Sequence, residues 1–158
     1  MPPLPRSTPA QPALEIRVCG ADGEALSEAD LRRLFAGGSL TAARLDRLRA
    51  WPRVMVTCGT RIVGVATCLK VDAELRVPDV GLDTSETERP LAGGAGIECG
   101  VREILNALLD AVELTSLAGG CTRIVLSPPK VSLFFLERRG YRRVDERCAG
   151  GWIEKQVG

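Results

Sequence analysis

The 158-residue chain contains no histidine. That absence removes imidazole general bases, His-activated serine or cysteine nucleophiles, and most zinc and non-haem iron sites. Aromatic residues make up only 4% of the chain, so the core must be assembled from Leu, Val, Ile and Ala. Neither sign of charge is in surplus: 21 Lys and Arg face 20 Asp and Glu, a net of +1. Nucleic acid and acidic membrane surfaces are therefore not expected partners. The six cysteines (Cys19, Cys58, Cys68, Cys99, Cys121 and Cys148) form no C-x-x-C pair. Their positions suit small core residues in a reducing cytoplasm, with no disulfide and no metal. No apolar run is long enough to span a membrane, and the opening MPPLPRSTPAQPA lacks the apolar stretch of a signal peptide. Residues 1–13 are expected to form a Pro-rich disordered tail, and residues 14–158 a single domain.

What the chain does contain is a clear succession of elements. LEIRVCG alternates Leu14, Ile16 and Val18 with Glu15 and Arg17, the period of a strand. LSEADLRRLFAGG follows with helical period: Ser27 stands at the N-cap, Leu26 can staple to Leu31, and Gly37 can close the helix. A second short helix, TAARLDRLRAW, stops at Pro52. RVMVTCG and RIVGVATCLKV are strands joined by a hairpin at Gly59-Thr60, and Asp72-Ala73 turns the chain into a fourth strand, ELRVPDVGLD. Pro78 cannot donate to a ladder, so that strand needs a free side or a bulge at this point. After the long loop TSETERPLAGGAGIECG, Val101 to Ala118 is helical, with Val101, Ile104, Leu105, Leu108, Val112 and Thr115 on one face. Gly119 and Gly120 stop it, and CTRIVLS is a buried strand. SPPKVSLFFLERRG is a helix with Gly140 at its C-terminal end. YRRVDERCA and WIEKQV are closing strands around a turn at Gly150-Gly151. The order β-α-α-β-β-β-α-β-α-β-β predicts one mixed α/β sheet with helices on both faces.

That order, together with ILNALLDAVE, Gly119-Gly120, RIVLSP, LFFLERRGYRRV and WIEK, resembles the GNAT superfamily of acyl-CoA-dependent N-acetyltransferases. The resemblance runs from about Leu14 to Val157 and is most specific from Leu108 to Tyr141. It implies a GNAT-like α/β fold and acetyl-CoA or another acyl-CoA as cofactor. It also implies transfer of an acyl group to an amine on a small molecule or protein.

In the family, a segment of the form R/Q-x-x-G-x-G/A precedes the long helix and cradles the pyrophosphate on backbone amides. Aligning on Leu108-Leu109 lays it on Gly100, Val101, Arg102, Glu103, Ile104 and Leu105. The cofactor-binding candidates are thus Gly100, Val101, Arg102 and Glu103, acting mainly through their backbone. Glu103 is out of place there, since a carboxylate competes with phosphate for the same amides. A second alignment puts the cradle at Gly94-Ala95-Gly96-Ile97, which leaves Gly100 inside the helix at a cost of about 1 kcal/mol relative to Ala. The resemblance also implies that backbone N–H groups near Val80 and Leu82 hold the thioester carbonyl, where strands of this fold splay. The tyrosine that protonates the departing thiolate in many members falls on Leu136, and the chain's single tyrosine, Tyr141, stands where the family has Phe. Asp79 and Asp83 are the nearest general-base candidates; as residues they read more simply as exposed or capping carboxylates.

Two functions fit these residues. One is an N-acetyltransferase working by direct transfer, because a thioester is already activated and positioning with a solvent-relayed proton suffices. The other is a catalytically inactive GNAT-fold module for ligand binding or protein interaction, with a homodimer as its expected form.

Overall fold

The computed structural model describes residues 14–20, 26–36, 40–83, 101–127, 133–143 and 152–158. Gly37, the glycine runs between Gly93 and Gly100, Cys99, Cys148 and the Gly150-Gly151 turn lie outside them. The elements run β1 (Leu14–Cys19), α1 (Glu28–Leu34), α2 (Ala42–Ala50), β2 (Arg53–Cys58), β3 (Arg61–Thr67), β4 (Leu69–Val71), β5 (Glu74–Val77), β6 (Val80–Leu82), α3 (Val101–Ala118), β7 (Arg123–Leu126), α4 (Leu133–Arg138), β8 (Arg142–Arg143) and β9 (Ile153–Gln156).

The helices start and stop where local chemistry dictates. The Ser27 hydroxyl accepts from the Asp30 N–H at 3.1 Å and the Thr41 hydroxyl from the Arg44 N–H at 3.1 Å, so α1 and α2 both carry side-chain N-caps. α3 ends in a Schellman motif: Gly120 takes φ +71°, its N–H bonds to Leu117 O, and the Cys121 N–H reaches back to Ser116 O at 2.8 Å. α4 ends in the same way, with Gly140 at φ +97°, its N–H on Glu137 O and the Tyr141 N–H on Leu136 O. In α4 the motif also brings Leu136 and Tyr141 together in the core, where both are buried.

The strands depart from expectation in one respect. RIVGVATCLKV and ELRVPDVGLD are each a single strand by sequence pattern, yet each is broken. The first breaks at Cys68 into β3 and β4, the second at Pro78-Asp79 into β5 and β6. The expected single mixed sheet is accordingly parted into two, a four-stranded sheet ordered β1-β2-β3-β6 and a five-stranded sheet ordered β4-β5-β7-β9-β8. The first is antiparallel throughout; in the second, β5 pairs parallel with β7 and the other pairs are antiparallel. Pro78 falls in the break, where its missing N–H leaves no hole in either ladder.

Helices cover both faces. On one side α3 packs on Val54, Val56 and Val63, and its Ile104, Leu105, Leu108, Leu109 and Val112 join Val77, Ile124, Leu126, Leu136 and Ile153 in the main core. On the other, α1 and α2 cover Met55 and Val65 with Leu31, Leu34, Phe35 and Leu48. Leu26 packs against this second cluster, to which Leu31 belongs. Cys68 and Cys121 are buried and Cys19 and Cys58 half-buried, and among the described residues none of the four forms a disulfide. Burial pushes the Cys68 thiol up to about 12, so it behaves as a small apolar side chain.

Candidate functional site

The parting of the two sheets creates the feature on which a site can be built. β5 stays paired with β7 as far as the bond from Ser127 N–H to Val77 O, at 3.0 Å. Two residues further on, β6 has left that neighbour and pairs only with β3. Thr67 N–H donates to Asp79 O at 3.1 Å and Asp83 N–H donates to Val63 O at 2.8 Å, so odd-numbered residues in this stretch aim their backbone groups at β3. Neighbouring residues in an antiparallel ladder face opposite edges. The N–H groups of Val80 and Leu82 therefore face the open edge, where no described strand pairs with them. Between them Gly81 allows close approach from the other face: a Cβ there would lie 2.7 Å from the Phe35 ring.

Asp79 and Asp83 flank this edge, and neither is an exposed or capping carboxylate. Both are fully buried. Asp79 Oδ1 accepts from Arg44 Nε (3.1 Å) and an Arg47 terminal nitrogen (2.9 Å), and Oδ2 from Arg47 Nε (2.8 Å) and the Thr67 hydroxyl (2.8 Å). Burial alone would raise the pKa of this carboxyl. The hydrogen bonds from Arg47, Thr67 and Arg44 outweigh burial and hold it below the usual carboxylate range. Asp83 pairs with Arg33 and Arg61, each at 2.8 Å. Arg33 in turn bonds Asp30 and the Ile62 carbonyl. The two aspartates thus tie α1 and α2 to β6, and each carboxylate is paired with two arginines. Sequence reasoning missed these partners, although a signal was present. An aspartate inside the apolar run VPDVGL, Asp79, needs a cation, and Arg44 and Arg47 lie three apart on one face of α2.

The remaining candidates sit at the start of α3. Val101 is half-buried, while Arg102 and Glu103 are exposed in the first turn. The Arg102 guanidinium lies over the Phe135 ring of α4, 5.9 Å from its centre, so it is steered toward α4. Gly100, and with it the choice between the two cradle alignments, lies outside the described residues. Leu136 is completely buried. Tyr141 is buried as well, its hydroxyl without a hydrogen-bond partner among the described residues. Burial, reinforced by the negative charge of Glu113, pushes its pKa well above the ordinary tyrosine value. Among the described residues no group of three or more acidic or cysteine side chains could hold a metal ion, and no described helix is long and apolar enough to cross a membrane.

A mixed α/β chain whose central strands pair parallel at one end and part at the other belongs to a recognisable structural class, and solved structures specify it as the GNAT acetyltransferase fold. An acetyltransferase of the GNAT family from Staphylococcus aureus Mu50 superposes with a TM-score of 0.67 at 11% identity, covering 92% of this chain and 100% of that one. The PaiA N-acetyltransferase of Thermoplasma acidophilum, solved in complex with coenzyme A, gives 0.57 at 14% identity over 92% and 99% of the two chains. Ard1 from Thermoplasma volcanium gives 0.58 at 20% identity over 92% and 99%. No protein-family model and no curated protein matches the chain by sequence.

Proposed function

We propose that this protein is an acyl-CoA-dependent acyltransferase that acylates an amine by direct transfer, without a side-chain acid. The reading rests on one observation above others: the N–H groups of Val80 and Leu82 on the outer edge of β6, which no described strand pairs, beside the parting of the sheets. An edge of this kind hydrogen-bonds an extended amide-bearing chain as another strand would. An acyl-CoA bound along it supplies an acyl group already activated as a thioester. One of the two amides would donate to the acyl carbonyl and hold it for attack, an oxyanion-type contact made by rigid backbone. Val101, Arg102 and Glu103, with Gly100, are the residues proposed to meet the pyrophosphate. Leu136 has no proton to give, so the departing thiolate takes its proton from solvent. The attacking amine binds as the free base or loses its proton to water, because Asp79 and Asp83 are engaged by arginines.

Leu136, the buried Tyr141 hydroxyl and Glu103 favour a second reading, an inactive member of the fold that binds no acyl-CoA. Titration calorimetry with acetyl-CoA separates the two. Saturable binding in the micromolar range or tighter, with thiol release on adding an amine, is expected of the transferase; a flat titration at millimolar cofactor ends that reading. In the preferred alignment Glu103→Gly should tighten binding by about two- to fivefold, matching the roughly 0.3–1 kcal/mol of one charge at a helix terminus.

A further inference from the structure

β1 is the outer strand of the four-stranded sheet, and among the described residues nothing pairs with its free edge. An edge strand left open is a template for another strand, and proteins usually blunt it with charges that repel a second copy. Here the charges do the opposite. Ile16 and Val18 stand opposite Val56 and Val54 of β2, on the α3 face of the sheet, yet they are 45% and 67% exposed. Glu15 and Arg17 stand on the other face, opposite Thr57 and Met55, and both are exposed. The strand thus carries an apolar face and a face with one charge of each sign, two residues apart.

We infer that β1 is a homodimer interface, pairing antiparallel with β1 of a second copy about a two-fold axis at Ile16. Two identical antiparallel strands side by side can be related only by an axis perpendicular to the sheet, which must pass through a residue position so that equivalent side chains keep to the same face. The middle of this six-residue strand lies at Ile16 and Arg17, with Glu15 and Val18 on either side; an axis at Val18 sets Arg17 against Cys19 and leaves Glu15 outside the paired strands. An axis at Glu15 opposes two glutamates, and an axis at Arg17 opposes two arginines. An axis at Ile16 sets Glu15 against the partner's Arg17 and Arg17 against the partner's Glu15. On the other face it sets Ile16 against its own copy and Leu14 against the partner's Val18. Every directly opposed pair is then favourable, and one register is selected over its neighbours. The two four-stranded sheets become one continuous sheet with both α3 helices on the same side, and the exposed Ile16 and Val18 are covered from one edge by the second copy.

Charge reversal tests this directly on the full chain, by sedimentation equilibrium at micromolar protein with circular dichroism to confirm folding. The wild-type protein is expected to be a dimer. Glu15→Arg alone and Arg17→Glu alone should each weaken it about tenfold or more, since two attractive pairs become repulsive. The double variant E15R/R17E should restore the dimer. Mixing the two single variants should produce a heterodimer, because each then supplies the sign the other lacks. A monomeric wild-type protein overturns the inference. So does a dimer that both single reversals leave intact, or single variants that fail to associate when mixed.

Discussion

At the scale of single residues, Leu136, on which the resemblance sets a proton-donating tyrosine, and Tyr141, the chain's one tyrosine, both lie in the core. Leu136 is sealed between α4 and the sheet, and Tyr141 follows it in the Schellman turn. The Tyr141 hydroxyl is buried with no partner among the described residues, while its ring lies under the Lys155 ammonium, 5.6 Å away. A buried hydroxyl with no hydrogen bond carries its desolvation cost, about 1–3 kcal/mol, with nothing to offset it. Tyr141→Phe should therefore leave stability unchanged or raise it by about 1 kcal/mol, and leave any acyl transfer untouched. Urea unfolding of the variant checks the first part and a thiol-release assay the second. A loss of stability, or a loss of turnover, would show that the hydroxyl has a partner or a proton to deliver.

At the scale of elements, helix ends could be read from sequence far better than strand ends. Ser27, Gly119-Gly120 and Gly140 mark helix boundaries through interactions spanning only a few residues, so the pattern in the chain is the pattern in space. Gly120 tests this well: it needs φ +71°, and a Cβ added there meets nothing within 4 Å. Gly120→Ala should cost about 1–2 kcal/mol from left-handed backbone strain alone, and Gly120→Asn distinctly less, as measured by thermal or urea unfolding. Equal stability of Ala, Asn and Gly at 120 would mean the α3 cap adapts. The strand breaks were not legible. RIVGVATCLKV runs through Thr67 with no break in its pattern, and in ELRVPDVGLD only Pro78 and Asp79 interrupt it. What parts them is the choice of neighbour, β3 for one half of the fourth strand and β7 for the other, and no local periodicity encodes that. The candidate site follows the same division. The stretch holding Val80 and Leu82 could be placed from the resemblance, whereas the direction of their N–H groups depends on the pairing partner.

At the scale of the whole molecule, Asp79 holds the junction on which the proposed site depends. Both long strands break at the same level, Thr67–Cys68 on one and Pro78–Asp79 on the other, and the Thr67 hydroxyl and N–H both bond Asp79. From the opposite side Arg44 and Arg47 fasten α2 to the same carboxylate. One anion thus joins the end of β3, the start of β6 and the helical layer above them. Removing a partner from a wholly buried ion pair costs roughly 3–5 kcal/mol. The two arginine side chains here are 24% and 26% exposed and can recover water, so Asp79→Asn should cost somewhat less, about 2–3 kcal/mol near neutral pH. The pH dependence has a definite sign. The folded-state pKa of Asp79 lies below its unfolded value, near 3.8, so the stability it contributes is complete well above that pH and is lost as the pH falls through the folded-state value. The gap between wild type and Asp79→Asn should accordingly be widest at neutral pH and close as the medium is taken below pH ~4. Urea unfolding of both proteins across that range measures it. A gap that stays constant into acid would mean that the hydrogen-bond geometry of the junction, and not the charge on Asp79, parts the two sheets where the amides of Val80 and Leu82 face the edge that no described strand pairs.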